Sequence, residues 1–241
     1  MPNWVANSLS VWGDNETLAE LAKQLREPYE TNFDNEPHKR EGEFLLWNII
    51  RPIDTRAYFQ LDKPTKDEVE KPTLTPEEIS ARLNEAVANF DPQAVMEQFQ
   101  EELATGQDWY HWNIREWGTK WEIDGATLEV DDENLHYEFQ TAWSPPVSAL
   151  DKLAEQYPTL AFGLRAIDEN DLFALMGMWE NGARVQVAEG DVNHKVRMDF
   201  HGHCWLCDDP DKDDPDLIQL RAEQGCDLAS IEHLDFEPEE E

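Results

Sequence analysis

Cysteine is scarce in this chain, and its count is odd. The three residues, Cys204, Cys207 and Cys226, among 241 make no disulfide framework and fit a reducing compartment. Long apolar runs are missing too: no segment approaches the roughly 20 residues needed to cross a bilayer. The opening Met1-Pro-Asn-Trp-Val-Ala-Asn lacks the basic-then-apolar order of a secretory leader, so a cytoplasmic location is expected. Basic residues are few, with 19 Lys and Arg against 53 Asp and Glu, for a formal net charge of -34. That balance repels phosphate backbones, anionic lipid and acidic substrates, which argues against direct nucleic-acid or membrane binding. No phosphate loop, dinucleotide glycine motif or Ser-His-Asp set can be read. The acids are too numerous for any pair to stand out as general acid and base, so no enzymatic activity is expected.

Aromatic side chains are plentiful, with 10 tryptophans and 10 phenylalanines in a chain that is 40% hydrophobic, enough for one sizeable core or two modest ones. They concentrate in Trp109-Tyr-His-Trp-Asn-Ile-Arg-Glu-Trp-Gly-Thr-Lys-Trp121. Rings of this size bury large areas and need partners for their polar edges, so the run marks either a packing nucleus or a shaped binding surface. Packing is the favoured reading for Trp112 and Trp117. Lys120 is the residue to watch, since a cation amid rings is either stacked or poised for an anion.

Periodicity supplies the elements. Val5, Leu9 and Val11 alternate in a first strand, Trp4 to Trp12, interrupted by the polar Asn7. Asn15 is a candidate N-cap for a helix from Glu16 to Glu27, stopped by Pro28. The apolar run Glu43 to Ile50 reads as a buried strand after a polar loop at Asn35-Glu-Pro37. Asp62 to Pro76 reads as a surface linker. Thr75-Pro76 and Asp91-Pro92 each open a helix, the first carrying Ile79, Leu83, Val87 and Phe90, the second Val95, Met96, Phe99 and Leu103. Strands are expected over Lys120 to Ile123, Thr127 to Val130 and Leu135 to Trp143, a helix over Val147 to Tyr157, then a meander of Thr159 to Ile167, Leu172 to Trp179 and Ala183 to Ala188. A short helix is expected from Leu217 to Gln224. This is the grammar of an α+β fold, one antiparallel sheet with helices on one face. It divides as residues 1–190, with a helical insertion at about 62–118, and an acidic extension at 191–241.

A set of motifs carries a resemblance. Met1-Pro-Asn-Trp4 with Asn7, Trp109-Tyr110 to Trp112, Trp117-Gly-Thr-Lys-Trp121, Thr141-Ala-Trp-Ser-Pro-Pro146 and Tyr157-Pro158 resemble phage and plasmid proteins whose C-terminal part is the YubB-like ferredoxin domain. The resemblance covers about residues 1–180 and implies a ferredoxin-like fold encoded on a mobile element, with no reaction attached. Val5 stands where that pattern commonly has cysteine, and the acidic tail lies outside it.

Three functional expectations follow. The leading one is a nucleic-acid mimic of anti-restriction or anti-CRISPR type, in which ordered carboxylates occupy the nucleic-acid site of a basic host defence protein. The nominated acids are Asp131, Asp132, Glu133, Asp208, Asp209, Asp211, Asp213 and Asp214. An acidic excess also fits adaptation to high salt. The second is a small-ligand or nucleotide module built on Trp112, Trp117 and Lys120, with stacking as its chemistry. The third is a zinc-stabilised structural protein. Cys204-Trp-Leu-Cys207 lets two thiolates meet one ion, with His201 and His203 as the nominated further ligands and Cys226 or His233 as alternatives. A calcium loop over Asp209 to Leu220 is rejected, because the turn glycine is missing and Leu220 stands where the bidentate acid belongs.

Overall fold

In β1 (Trp4–Trp12) the residues Val5, Asn7, Leu9 and Val11 are buried and those between them are not, so one face of the strand enters the core. The computed structural model describes residues 3–33, 36–61, 75–88, 90–131, 134–208 and 215–226. β1 lies at the centre of a six-stranded antiparallel sheet, between β5 (Asn134–Ala142) and β6 (Ala161–Asp168), with Leu9 opposite Tyr137 on one side and Leu164 on the other. β4 (Asp124–Asp131) pairs outside β5, while β7 (Ala174–Glu180) and β8 (Ala183–Gly190) extend beyond β6, giving the order β4-β5-β1-β6-β7-β8. Helix α1 (Asn15–Leu25) follows β1, and α6 (Val147–Gln156) joins β5 to β6. These are two interleaved strand-helix-strand units, the ferredoxin-like α+β arrangement expected from the sequence.

Both helices lie on the same face. Leu18, Leu21, Ala22 and Leu25 of α1 and Ala149, Leu150, Leu153 and Ala154 of α6 enter one core with Leu9, Tyr137, Phe162, Leu164 and Trp179. Each buried leucine contributes about 1.5–3 kcal/mol. The cap of α1 is Asp14, whose carboxylate accepts from the Thr17 N–H, in place of the expected Asn15. Gly177 lets the buried Trp179 indole lie against the sheet: a Cβ there would come within 2.5 Å of that ring.

The central expectations about the sheet hold, and the departures have identifiable causes. Glu43 to Ile50 is not a strand; Phe44 to Ile49 are buried, with a 3-10 turn over Leu46–Asn48. Periodicity cannot separate a buried strand from a buried loop whose main chain is satisfied by a side chain, and here Glu122 does that. The polar stretch around Asn35 to Pro37 contains a hairpin, β2 (Tyr29–Phe33) paired with β3 (Glu36–Arg40). Lys120 to Ile123 is irregular, and β4 begins at Asp124 with a bulge between Asp124 and Thr127. The helices α3 (Pro76–Ala88), α4 (Pro92–Thr105) and α5 (Trp109–Glu116) lie close to expectation. The apolar stripes of α3 and α4 are exposed, Leu83 at 62% and Val87 at 76%. Short α2 (Thr55–Phe59), α7 (His194–His201) and α8 (Trp205–Asp208) were not legible, and α9 (Pro215–Glu223) matches the short helix expected there.

Candidate ligand cleft and candidate metal centre

Glu122 anchors an aromatic assembly around Tyr29 and Trp47. One carboxylate oxygen accepts the main-chain N–H of Leu46 (2.7 Å) and Ile123 (2.9 Å), and the other accepts that of Trp47 (3.0 Å) and the Tyr29 hydroxyl (2.8 Å). A carboxylate has about four acceptor sites, and all four are used. Burial holds its pKa above the ordinary carboxylate value, and the bonds from Trp47, Tyr29, Leu46 and Ile123 offset only part of that rise. Burial, followed by the neighbouring Glu122 charge, also holds the Tyr29 phenol well above its ordinary value. The 3-10 turn and the hairpin are thereby fastened to the segment that leads into β4.

Above this carboxylate lies a cleft of about 370 Å³ lined by Trp4, Tyr29, Arg40, Trp47, Trp109 and Trp121, among others. Tyr29 stacks on Trp47 at 5.1 Å and 10°, Trp47 on Phe59 at 6.0 Å, and Trp4 tilts against Trp121 at 5.9 Å. The rear wall is fixed by Tyr58, which donates to Asn113 Oδ1 (2.8 Å), while Asn113 Nδ2 donates to the Lys120 carbonyl (2.9 Å). The volume falls in the range of small-molecule sites, and the lining is apolar with a few placed polar groups.

The nominated aromatic residues divide. Trp112 and Trp117 are core, 5% and 1% exposed, meeting edge to face at 5.4 Å, and Trp117 Nε1 donates to the Ile50 carbonyl (3.2 Å). Trp117 also lines the cleft. Lys120 is stacked: its ammonium lies 4.0 Å from the Trp143 ring centroid, 5.0 Å from Trp121 and 5.8 Å from Tyr110. The Gly118-Thr-Lys120 turn ties α5 to the sheet, with Thr119 Oγ1 donating to the Ala142 carbonyl and Gly118 at a φ of 85°. Glu122, Tyr29, Trp47 and Arg40 were missed. A single acid in Trp121-Glu-Ile123 is indistinguishable in sequence from an alternating strand residue.

Of the nominated acids, Asp131 and Asp208 fall among the described residues. Asp131 is exposed at the end of β4 and Asp208 is the last residue of α8. Asp132, Glu133, Asp209, Asp211, Asp213 and Asp214 lie outside the described residues, as does His233. On the outer sheet face the register sets Ser10 opposite His136, and Ser10 Oγ lies 3.1 Å from His136 Nδ1, an ordinary cross-strand pair.

Geometry gathers a set of candidate metal ligands that only partly overlaps the nominated one. His194, Cys204, Cys207 and Cys226 place their ligand atoms within 4.8 Å of one another. His201 and His203 stand apart from this group, exposed, with their rings 5.8 Å from each other. His194 opens α7 and His201 closes it, so seven helical residues, about 10 Å of rise, separate them. The thiols differ in acidity: at Cys204 burial is outweighed by the Cys207 N–H and the His194 ring, which lower it, while at Cys226 burial and the neighbouring thiols raise it.

The crystal structure of a protein api92 from Yersinia pseudotuberculosis is similar over 79% of this chain and 98% of that one, at 9% identity and a TM-score of 0.42. No curated protein matches the chain. Residues 116–197, from the end of α5 through β4 to β8 and into α7, match the family described as the ferredoxin-like domain in Api92-like protein.

Proposed function

We propose that the chain is a non-enzymatic binding module whose aromatic cleft takes a small planar ligand. The observation that carries this is the set of rings Trp4, Tyr29, Trp47, Trp109 and Trp121 around an open volume of about 370 Å³ with a carboxylate at its base. Stacking on such rings is worth about 1–3 kcal/mol per base and tolerates many heterocycles. The net charge of -34 opposes a phosphate, so a neutral or cationic heterocycle, such as a nucleoside, is the favoured class. Tryptophan fluorescence of the full chain titrated with nucleosides, nucleotides and quaternary ammonium compounds tests this. Saturable quenching is expected, stronger for a nucleoside than for its nucleotide and at least tenfold weaker in Trp121→Ala. No saturable response across the panel overturns it.

The charge supports a second function, mimicry of nucleic acid toward a basic host defence protein by a mobile-element product. The exposed Glu97, Glu101, Glu129, Asp131 and Glu138 provide carboxylates on helix and strand that can meet the Arg and Lys groups of a nucleic-acid groove. Capture of such a partner from host lysate, lost steeply as salt rises, is the expected result. Capture of none, or of one indifferent to ionic strength, removes this function.

A further inference from the structure

We infer that His194, Cys204, Cys207 and Cys226 form a structural zinc site that staples the C-terminal extension. The spacing is that of a coordination shell. A tetrahedron with Zn–S of about 2.3 Å has S···S edges of about 3.8 Å, and with Zn–N of about 2.0 Å its S···N edges are about 3.5 Å. Cys204 Sγ and Cys226 Sγ are 3.8 Å apart, and Cys207 Sγ lies 3.3 Å from His194 Nδ1. A disulfide would need about 2.05 Å, and joining any two of the three thiols would leave one thiol and the imidazole unused. Three thiolates and one imidazole are soft donors in the proportion that structural zinc takes.

The four ligands come from four places: the first residue of α7, the residue before α8, the middle of α8 and the turn after α9. The Cys207 N–H donates to the Cys204 carbonyl (2.9 Å), closing the tight turn that points both sulfurs inward. Arg197, 3% exposed, sets its guanidinium 3.9 Å from Cys204 Sγ and offsets the excess negative charge of three thiolates around a divalent ion. The same arginine donates to Asp171 (2.8 Å), which also accepts from Trp205 Nε1 (2.7 Å), so the metal cluster is coupled to the turn between β6 and β7.

Among the described residues, the extension's own apolar core is small. Its buried apolar cluster consists of Cys204, Leu206 and Cys226, with Cys207, Leu217 and Leu220 packed against them. A core of that size does not offset the entropy of ordering three short helices, and natural domains so built use a metal. Zinc binding free energy then becomes folding free energy for this segment.

Metal analysis of the full chain, purified without a histidine tag, tests the site. One zinc per chain is expected, released in step with titration of three thiols by a mercurial reagent. Less than a tenth of an equivalent, both as purified and after zinc loading and washing, overturns it. Cobalt(II) substitution should give the intense visible bands and thiolate charge-transfer absorption of a tetrahedral sulfur-rich site; the weak bands of an octahedral ion contradict it. His194→Ala and Cys226→Ser should lose zinc while His201→Ala and His203→Ala retain it. Equal loss from the His201 variant would show the ligand set to be wrong.

Discussion

Replacing Glu122 by glutamine changes one oxygen into an NH2 and leaves the size of the side chain almost unchanged. The four bonds to Glu122 come from the N–H groups of Leu46, Ile123 and Trp47 and from the Tyr29 hydroxyl. If the amide oxygen keeps Leu46 and Ile123, the NH2 faces the Trp47 N–H, and two donors oppose each other. The Tyr29 hydroxyl can turn and accept, so one buried main-chain donor is stranded, at about 1–3 kcal/mol. The two bonds that survive lose their charge assistance, about 1 kcal/mol each. Glu122→Gln should therefore cost about 3–5 kcal/mol in urea unfolding, with fluorescence and circular dichroism transitions coincident and the denaturant slope unchanged. Tyr29→Phe, which removes one donor and leaves the carboxylate three, should cost about 1 kcal/mol. A loss below about 1 kcal/mol for Glu122→Gln would refute the role given to this carboxylate as the tie between turn, hairpin and sheet.

Other perturbations test separate parts of the structure. At Asp108, the cap of α5, burial pushes the carboxyl up, but the His111 ring and the N–H groups of His111 and Tyr110 more than offset it, so its pKa is lowered. A depressed carboxyl stabilises the fold above the ordinary carboxylate pKa and loses that contribution as pH falls through the folded value. The stability gap between the native chain and Asp108→Asn should thus be constant near neutrality and shrink below about pH 4; a gap that widens there contradicts the assignment. Asp171→Ala leaves Arg197 buried without its carboxylate and should destabilise docking of the extension by about 3–5 kcal/mol, read as faster hydrogen exchange in α7 with β1 unchanged. Gly177→Ala forces a methyl into the Trp179 ring and should cost about 1–3 kcal/mol in thermal unfolding.

What the sequence discloses depends on how local the cause is. β1, α1 and α6 were legible because their buried faces repeat at two or 3.6 residues and Pro28 and Pro158 mark the stops. The β7–β8 turn was legible in Asn181-Gly182, both of which take positive φ, 53° and 78°. The hairpin of β2 and β3 was not, because Pro37 to Arg40 are all exposed and carry no alternation. The cleft was only half visible: the tryptophan run announced an aromatic nucleus, but Trp4, Tyr29 and Trp47 reach it through tertiary contacts. In the cluster of His194, Cys204, Cys207 and Cys226, the two cysteines Cys204 and Cys207 were legible from their spacing. Sequence proximity favoured His201 and His203, whereas the pitch of α7 carries His201 away and brings His194 to Cys207.

Ligand binding in the cleft is the central functional claim, and the indole N–H signals of the ten tryptophans in a nitrogen-correlated NMR spectrum test it residue by residue. On titration with the nucleoside that quenches most strongly, the signals of Trp4, Trp47, Trp109 and Trp121 should shift saturably while those of Trp12, Trp179 and Trp205 stay in place. Shifts confined to tryptophans outside the cleft, or none at saturating ligand, would contradict it.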